Sequence, residues 1–253
     1  MIAIALDGVS HRFGKVTALT DVSLSVAAGE TVGLVGPNGA GKSTCLGIMA
    51  GLVVPSAGRA ELFGNPAGTA DVALRRAIGM VPQDPALFGW LTLIEYIEAV
   101  VSAYGAVRDG ARISALVAGL GLADAAHRPL NGFSRGMQKK THFAAILAVA
   151  PPVLILDEPF DSVDTDAVLF LEDALQTHLS AGGTTVVSTH LLGVAATLCR
   201  RVAVLVEGRL AGIVEASAEG EPLSADELKA RYRSAVTGQD STTPSLSASS
   251  ATS

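Results

Sequence analysis

Eight consecutive residues, Gly36-Pro37-Asn38-Gly39-Ala40-Gly41-Lys42-Ser43, satisfy the pattern GxxxxGK[ST] at every fixed position. A loop of this composition curls so that successive backbone N–H groups face inward, and such a ring of donors suits phosphate oxygens. The apolar run Thr31–Val35 before it reads as a strand, and Lys42–Ala50 after it reads as a helix closed by Gly51. A helix that begins at Lys42 adds the positive end of its dipole to the same spot. Lys42 then reaches the β- and γ-phosphates of a nucleoside triphosphate, Ser43 ligates Mg²⁺, and Thr44 is grouped with them as nucleotide-binding.

Mg²⁺ is a hard cation that one hydroxyl cannot hold alone. The run Val153–Leu156 has the two-sided apolarity of a buried parallel strand and leads directly into Asp157-Glu158. Both carboxylates therefore lie at the carboxyl end of a strand, the edge where the phosphate loop opens. Asp157 suits Mg²⁺ coordination and Glu158 suits polarising an attacking water. The two elements together specify a P-loop nucleoside triphosphatase, without saying which kind.

The elements that must position these groups follow from periodicity. The first 35 residues are β-rich with short turns, and further short strands are expected at Arg59–Phe63 and Ala77–Val81. From Thr92 to about Leu122 the period becomes helical, with Leu93, Ile94, Ile97, Val100, Val101 and Tyr104 on one face and Ile113, Leu116, Val117 and Leu120 repeating it. Another helix starts near Ser134 and ends at Pro151-Pro152. Beyond Asp157 come a helix over Asp166–Leu179, a strand over Thr184–Ser188, a helix from Leu191, and strands near Val202–Val206 and Leu210–Val214. This alternation predicts an α/β fold with a parallel sheet and helices on its faces. One ATPase domain is expected over residues 1–235, with a helical subdomain inserted at about 84–150. Ser224 and Glu227 suit the capping box of a short helix reaching Ser234, and the Ser/Thr-rich stretch 236–253 is expected to be disordered.

Bulk properties narrow the classes. The 253 residues are 49% hydrophobic, with mean hydropathy +0.44, which makes a membrane span the first possibility to test. The longest apolar stretch, Ala144–Leu156, has 13 residues and is broken by Pro151-Pro152, short of the ~20 a spanning helix needs. A net charge of −6 offers no global field for polyanions, so nucleic acid is not an expected partner. The amino terminus lacks the basic flank and apolar segment of a secretory signal, and a cytoplasmic location is expected. Cys45 and Cys199 stand in no metal-ligand or CxxC spacing.

Phe133-Ser134-Arg135-Gly136-Met137 opens a helix, its Ser134 23 residues ahead of Asp157. It resembles the LSGGQ signature loop of ATP-binding-cassette (ABC) proteins, with Ser134 and Gly136 at matching positions, Arg135 in place of the first glycine and Met137 in place of the glutamine. Phe13 resembles the aromatic residue that stacks on adenine. Gln83 looks like the Q-loop glutamine that senses Mg²⁺ and the attacking water, Asp164 is similar to the aspartate of the loop after the catalytic glutamate, and His190 resembles the switch histidine that touches the γ-phosphate. The other four histidines, His11, His127, His142 and His178, have no motif context and read as solvated or structural.

The likeness covers roughly residues 1–215 and implies the ATP-binding subunit of an ABC transporter with an exporter-type nucleotide-binding domain. It further implies a RecA-like parallel-sheet core with an antiparallel β subdomain and an inserted helical subdomain. ATP and Mg²⁺ are the implied ligands, and Glu158, His190 and Gln83 the implied catalytic groups. The implied partners are a second ABC ATPase subunit, identical or related, closing head to tail, and a transmembrane permease holding the pair at the inner face of the membrane. Arg135 then either adds charge near a γ-phosphate or touches the membrane partner. The apolar patch Leu87-Phe88-Gly89-Trp90-Leu91 either docks a cytoplasmic helix of that partner or belongs to the core. Thr92–Gly105 resembles exporter-type subunits. An importer subunit is an alternative, as is a soluble cassette protein acting on nucleic acid or ribosomes; against the latter, Gln83 and Ser134 are only 51 residues apart and one phosphate loop is present.

Overall fold

The computed structural model describes residues 1–68, 71–216 and 223–237. Strands β1 (Ile2–Phe13) and β2 (Val16–Ala27) form a long antiparallel hairpin whose tip carries Phe13. Val22, Leu24 and Val26 turn inward while their neighbours face solvent, the period-two burial of a sheet with one wet face. Strands β4 (Ala57–Leu62) and β5 (Asn65–Pro66) extend this antiparallel sheet in the order β2-β1-β4-β5. The strand expected at Arg59–Phe63 is thus present, shifted slightly earlier.

A second sheet has the order β10-β9-β3-β8-β7-β6, built from β3 (Thr31–Val35), β6 (Ile78–Val81), β7 (Val153–Asp157), β8 (Thr184–Ser188), β9 (Arg201–Val206) and β10 (Arg209–Glu215). The first five of these pair in parallel, and β10 alone runs antiparallel, against β9. The cause is the two-residue turn Glu207-Gly208, where both φ angles are positive, +48° and +74°; that turn matches strand twist and folds a chain straight back. Every residue of β3, β7 and β8 is buried. Their side chains divide between two cores. Val153 and Ile155 pack toward the antiparallel sheet with Leu46, Ile48 and Met49 of α1 (Lys42–Met49), whereas Leu154 and Leu156 join the helices on the opposite face. Each such side chain contributes about 1.5–3 kcal/mol when fully buried.

Residues 84–150 hold α3 (Leu93–Ala103), α4 (Gly110–Gly119) and α5 (Arg135–Val149), with 3-10 turns at Ala123–Ala125 and Leu130–Gly132. Thr92 and Glu95 form a complete capping box at α3, Asp109 caps α4 and Ser134 caps α5. The apolar stretch Ala144–Leu156 is shared between the end of α5 and β7. Ala150, left-handed at φ +51°, stops the helix just before Pro151-Pro152. α2 (Val72–Arg76), capped by Asp71, precedes β6, and α6 (Thr165–Ser180), α7 (Leu192–Leu198) and α8 (Ala225–Thr237) complete the chain.

At α8 the Ser224 hydroxyl accepts the Glu227 N–H at 3.3 Å. The helix runs to Thr237, two residues into the stretch read as a tail, and residues 238–253 lie outside the described residues. Cys45 and Cys199 are buried free thiols, each pushed up to about 12 by burial. Among the described residues no helix is long and apolar enough to cross a membrane.

Candidate nucleotide site

Four neighbouring parallel strands, β3, β8, β7 and β6, end at one edge of the sheet, and the segments that follow them carry Gly36–Gly41, Thr189–His190, Glu158–Asp164 and Gln83. The register sets Asp157 opposite Ser188. Sequence-distant groups thus meet because a parallel sheet puts all its strand ends on the same side.

The phosphate loop is anchored on itself and on the β9–β10 turn: Ala40 N–H donates to Pro37 O at 3.1 Å, and Gly208 N–H donates to Ala40 O at 3.0 Å. Gly41 caps α1 at φ +100°, and an added Cβ would lie 2.5 Å from Ala18 O, so only glycine fits. No side chain caps α1, which leaves its first-turn amides turned toward the cleft. Lys42 is buried, its ammonium donating to Gly36 O at 2.8 Å and lying 3.4 Å from Glu158 Oε1.

Glu158 is held at nearly every polar atom. Its N–H donates to Ser188 Oγ at 2.9 Å, and that hydroxyl donates to Asp157 Oδ1 at 2.6 Å. Its Oε2 accepts from the His190 N–H at 3.2 Å and from His190 Nδ1 at 2.9 Å, which places the imidazole proton on Nδ1. On the far side of that ring, Asp161 Oδ1 is 3.9 Å from Nε2. The backbone of Glu158 sits at φ +44°, a left-handed conformation that costs a non-glycine residue about 1–2 kcal/mol.

These groups line a cleft of about 630 Å³. Of the residues singled out in the sequence, Phe13, Gly36 through Thr44, Gln83, Asp157, Glu158 and His190 all face it. Phe13 is 55% exposed and stands edge-on to His11, ring centroids 4.5 Å apart. Ser134, Arg135, Gly136 and Asp164 do not line the cleft. The first two are exposed at the start of α5, where the Ser134 hydroxyl accepts the Met137 N–H. Asp164 caps α6 and bonds Lys140 at 2.7 Å; that bond, foremost, holds its carboxyl below the usual range.

Other residues were not anticipated. Asp161 and Tyr232 line the cleft, the latter from α8, and Lys139 is buried with its ammonium 2.9 Å from Glu158 O. Of the histidines read as structural, His142 joins three elements. Its Nε2 faces Met80 O at 3.0 Å, an oxygen that only accepts, so Nε2 carries the proton and Nδ1 accepts from Tyr96 O–H at 2.6 Å. Burial lowers the His142 pKa and pushes Tyr96 up to about 12, which keeps the imidazole neutral and the phenol a donor.

The family model described as ABC transporter matches residues 19–161. The chain is 34% identical to an uncharacterized ABC transporter ATP-binding protein of Nostoc sp., over 78% of this chain, and spans only 59% of that relative's length. It is 34% identical to a Nod factor export ATP-binding protein of Rhizobium sp., covering 82% of this chain and 69% of the relative. Identity is 35% to a daunorubicin resistance ATP-binding protein of Streptomyces coeruleorubidus, covering 90% and 70%. Among solved structures, the ATP-binding subunit of an ABC transporter superposes with TM-score 0.80 at 28% identity, over 91% of this chain and 99% of that one. A dimeric ATP-binding cassette in a post-hydrolysis state, bound to ADP and Pi, superposes with TM-score 0.76 at 27% identity, over 84% and 98%. A phosphate loop, an Asp-Glu strand end and a histidine on one sheet edge, in a chain that these proteins match along most of its length, place it in the ABC transporter family, as an ATP-binding ATPase subunit.

Proposed function

We propose that this subunit is one half of a two-site, Mg²⁺-dependent ATPase that powers export through a separate membrane permease. The observation that carries the reading is a separation within the chain: Lys42, Glu158 and His190 share the cleft, whereas Ser134 and Gly136 stand outside it at the start of α5. A helix start lined with amides serves a triphosphate only if another subunit brings one to it. Head-to-tail pairing meets that need twice over. Phosphoryl transfer is promoted by positioning and by donors aimed at developing charge, and one open cleft supplies too few.

In this reading Phe13 stacks on the adenine and the loop from Gly36 to Thr44 wraps the phosphates. Lys42 exchanges Glu158 for phosphate oxygens, which frees the carboxylate to polarise the attacking water while His190 steadies it. The donor set fits a hard cation: the Ser43 hydroxyl, the Gln83 amide oxygen and the Asp157 carboxylate, one oxygen of which is tied to Ser188. Mg²⁺ bound there neutralises phosphate charge. Arg135, exposed beside Ser134, faces whatever covers the start of α5.

The permease side rests on the patch after Gln83. Phe88 and Trp90 are 54% and 76% exposed with ring centroids 5.3 Å apart, whereas Leu87 and Leu91 pack on the core. Docking therefore suits the two aromatic residues and core packing the two leucines. An apolar pair left in water on a folded subunit suits a cytoplasmic helix of a membrane partner, and this supports a position at the inner face of the membrane. Outward direction is carried over from the relative named for Nod factor export.

The test is Glu158→Gln. It leaves the cleft intact and removes the carboxylate that competes for Lys42, so ATP affinity is expected to hold or rise. Hydrolysis should fall about 10²–10⁴-fold, the usual contribution of a group that moves a proton, and light scattering with ATP should report a trapped dimer. Single-turnover hydrolysis at the wild-type rate refutes the role of Glu158, and nucleotide retention that survives Lys42→Ala refutes the site.

A further inference from the structure

One face of α5 grips the loop that carries Glu158. Gly136, Lys139 and Lys140 stand at i, i+3 and i+4, so they share that face. At Gly136 helix and loop meet backbone to backbone, since an added Cβ would lie 2.2 Å from Ser162 O. At Lys140 the ammonium pairs with Asp164 at 2.7 Å. Between these two contacts Lys139, 4% exposed, reaches 2.9 Å to the main-chain carbonyl of Glu158.

That contact is unusual for a buried cation. Burying an ammonium is unfavourable unless it is paired, yet among the described residues Lys139 lies within ion-pair distance of no carboxylate. Its charge is directed at one neutral oxygen, belonging to the residue whose side chain faces the phosphates. Burial lowers the Lys139 pKa, and the surrounding carboxylates Asp161, Asp84, Asp157 and Glu158 oppose that shift. The carbonyl already accepts the Asp161 N–H at 3.2 Å, so the loop has a bond of its own there. What the ammonium adds is a strong, charge-assisted hold on a residue in the left-handed region, at φ +44°.

We propose that Lys139 is a positioning residue for hydrolysis: by holding the Glu158 carbonyl it fixes the backbone conformation that aims the Glu158 carboxylate into the cleft. The inference rests on the ATPase reading above and adds a group that touches neither nucleotide nor water. It also makes α5 a shared part, with Ser134 and Gly136 facing a neighbouring subunit's nucleotide and Lys139, one turn on, setting the glutamate of its own.

The test uses the full chain with Mg²⁺ and ATP. Lys139→Met keeps length and removes the ammonium; kcat is expected to fall about tenfold, ~1.4 kcal/mol, with the KM for ATP and the Kd for ADP within twofold of wild type. Lys139→Arg, which retains charge and donors, should recover most of the loss, a rescue that simple packing would not require. If Lys139→Met folds poorly, Lys139→Gln tests the same prediction. A kcat within twofold of wild type in a folded neutral variant overturns the role, as does a loss that falls equally on nucleotide affinity. A wild-type chain without Mg²⁺-dependent ATPase activity overturns the underlying reading instead, so the two failures are distinct.

Discussion

Gly136→Ala tests how tightly the two half-sites are built together. An alanine Cβ at this position would lie 2.2 Å from Ser162 O and 3.4 Å from Ser162 C, both backbone atoms. Ordinary carbon–oxygen contact requires about 1 Å more, and packed protein does not absorb such an overlap without shifting. Ser162 cannot easily yield, being itself left-handed at φ +63° in the loop between Glu158 and the cap of α6. The start of α5 must move or the catalytic loop must. Overpacking of this kind costs about 1–3 kcal/mol of stability, too little to unfold a domain with typical stability of about 5–15 kcal/mol. A misplacement of about 1 Å at reacting groups, however, costs about 10²-fold in rate. The variant should therefore fold, bind ATP in a cleft to which no α5 residue contributes, and lose about 10²-fold in hydrolysis. The assay is single-turnover hydrolysis beside equilibrium ATP binding and a urea melt. Hydrolysis within threefold of wild type in a folded protein would show that the helix start and the catalytic loop are not mechanically joined.

Three further outcomes are expected. Replacing Phe88 and Trp90 together by alanine should leave basal hydrolysis unchanged and abolish stimulation by the permease in detergent or vesicles; unaltered stimulation counts against the docking patch. Tyr232→Ala removes one aromatic wall of the cleft, and at about 0.5–1.5 kcal/mol for an aromatic contact the Kd for ATP and ADP should rise about two- to tenfold, whereas unchanged affinity would make Tyr232 a bystander. His142 and His178 have pKa values lowered by burial, so between those values and the ordinary imidazole value of about 6.5 the unfolded chain binds more protons. Their contribution to stability is complete above about pH 6.5 and is lost as pH falls below it. Thermal melts should show Tm dropping from pH 7 toward pH 5.5, and His142→Gln should flatten that slope in part; a slope it leaves unchanged rules His142 out as a source.

What was legible in the sequence divides along physical lines. β3 and β7 were readable because burial on both faces leaves an apolar run with sharp ends, β8 because four of its five residues are β-branched, and the phosphate loop because its contacts lie within consecutive residues. α2 and β5 escaped since five and two residues are too few to show a period. The strand at Leu210–Val214 was readable, but its antiparallel direction was hidden in the dipeptide Glu207-Gly208, whose positive φ angles reverse the chain at once. Lys139 escaped for a different reason. In Gln138-Lys139-Lys140 it has the look of a solvated helix face, and only the packing of α5 against the loop after β7 makes its position interior. Tyr232 likewise comes 42 residues after His190 and reaches the cleft because α8 folds back over α7 and the β9–β10 hairpin. The parts that touch a nucleotide directly need particular residue types in fixed order, and sequence preserves that order. The parts that aim them need only a contact, which many types and positions supply, so they become visible once the chain has folded. This division explains why the imperfect signature, with Arg135 and Met137 in place of glycine and glutamine, does not disturb the frame: the two backbone demands at this helix start, the Ser134 cap and the absence of a Cβ at 136, are both met.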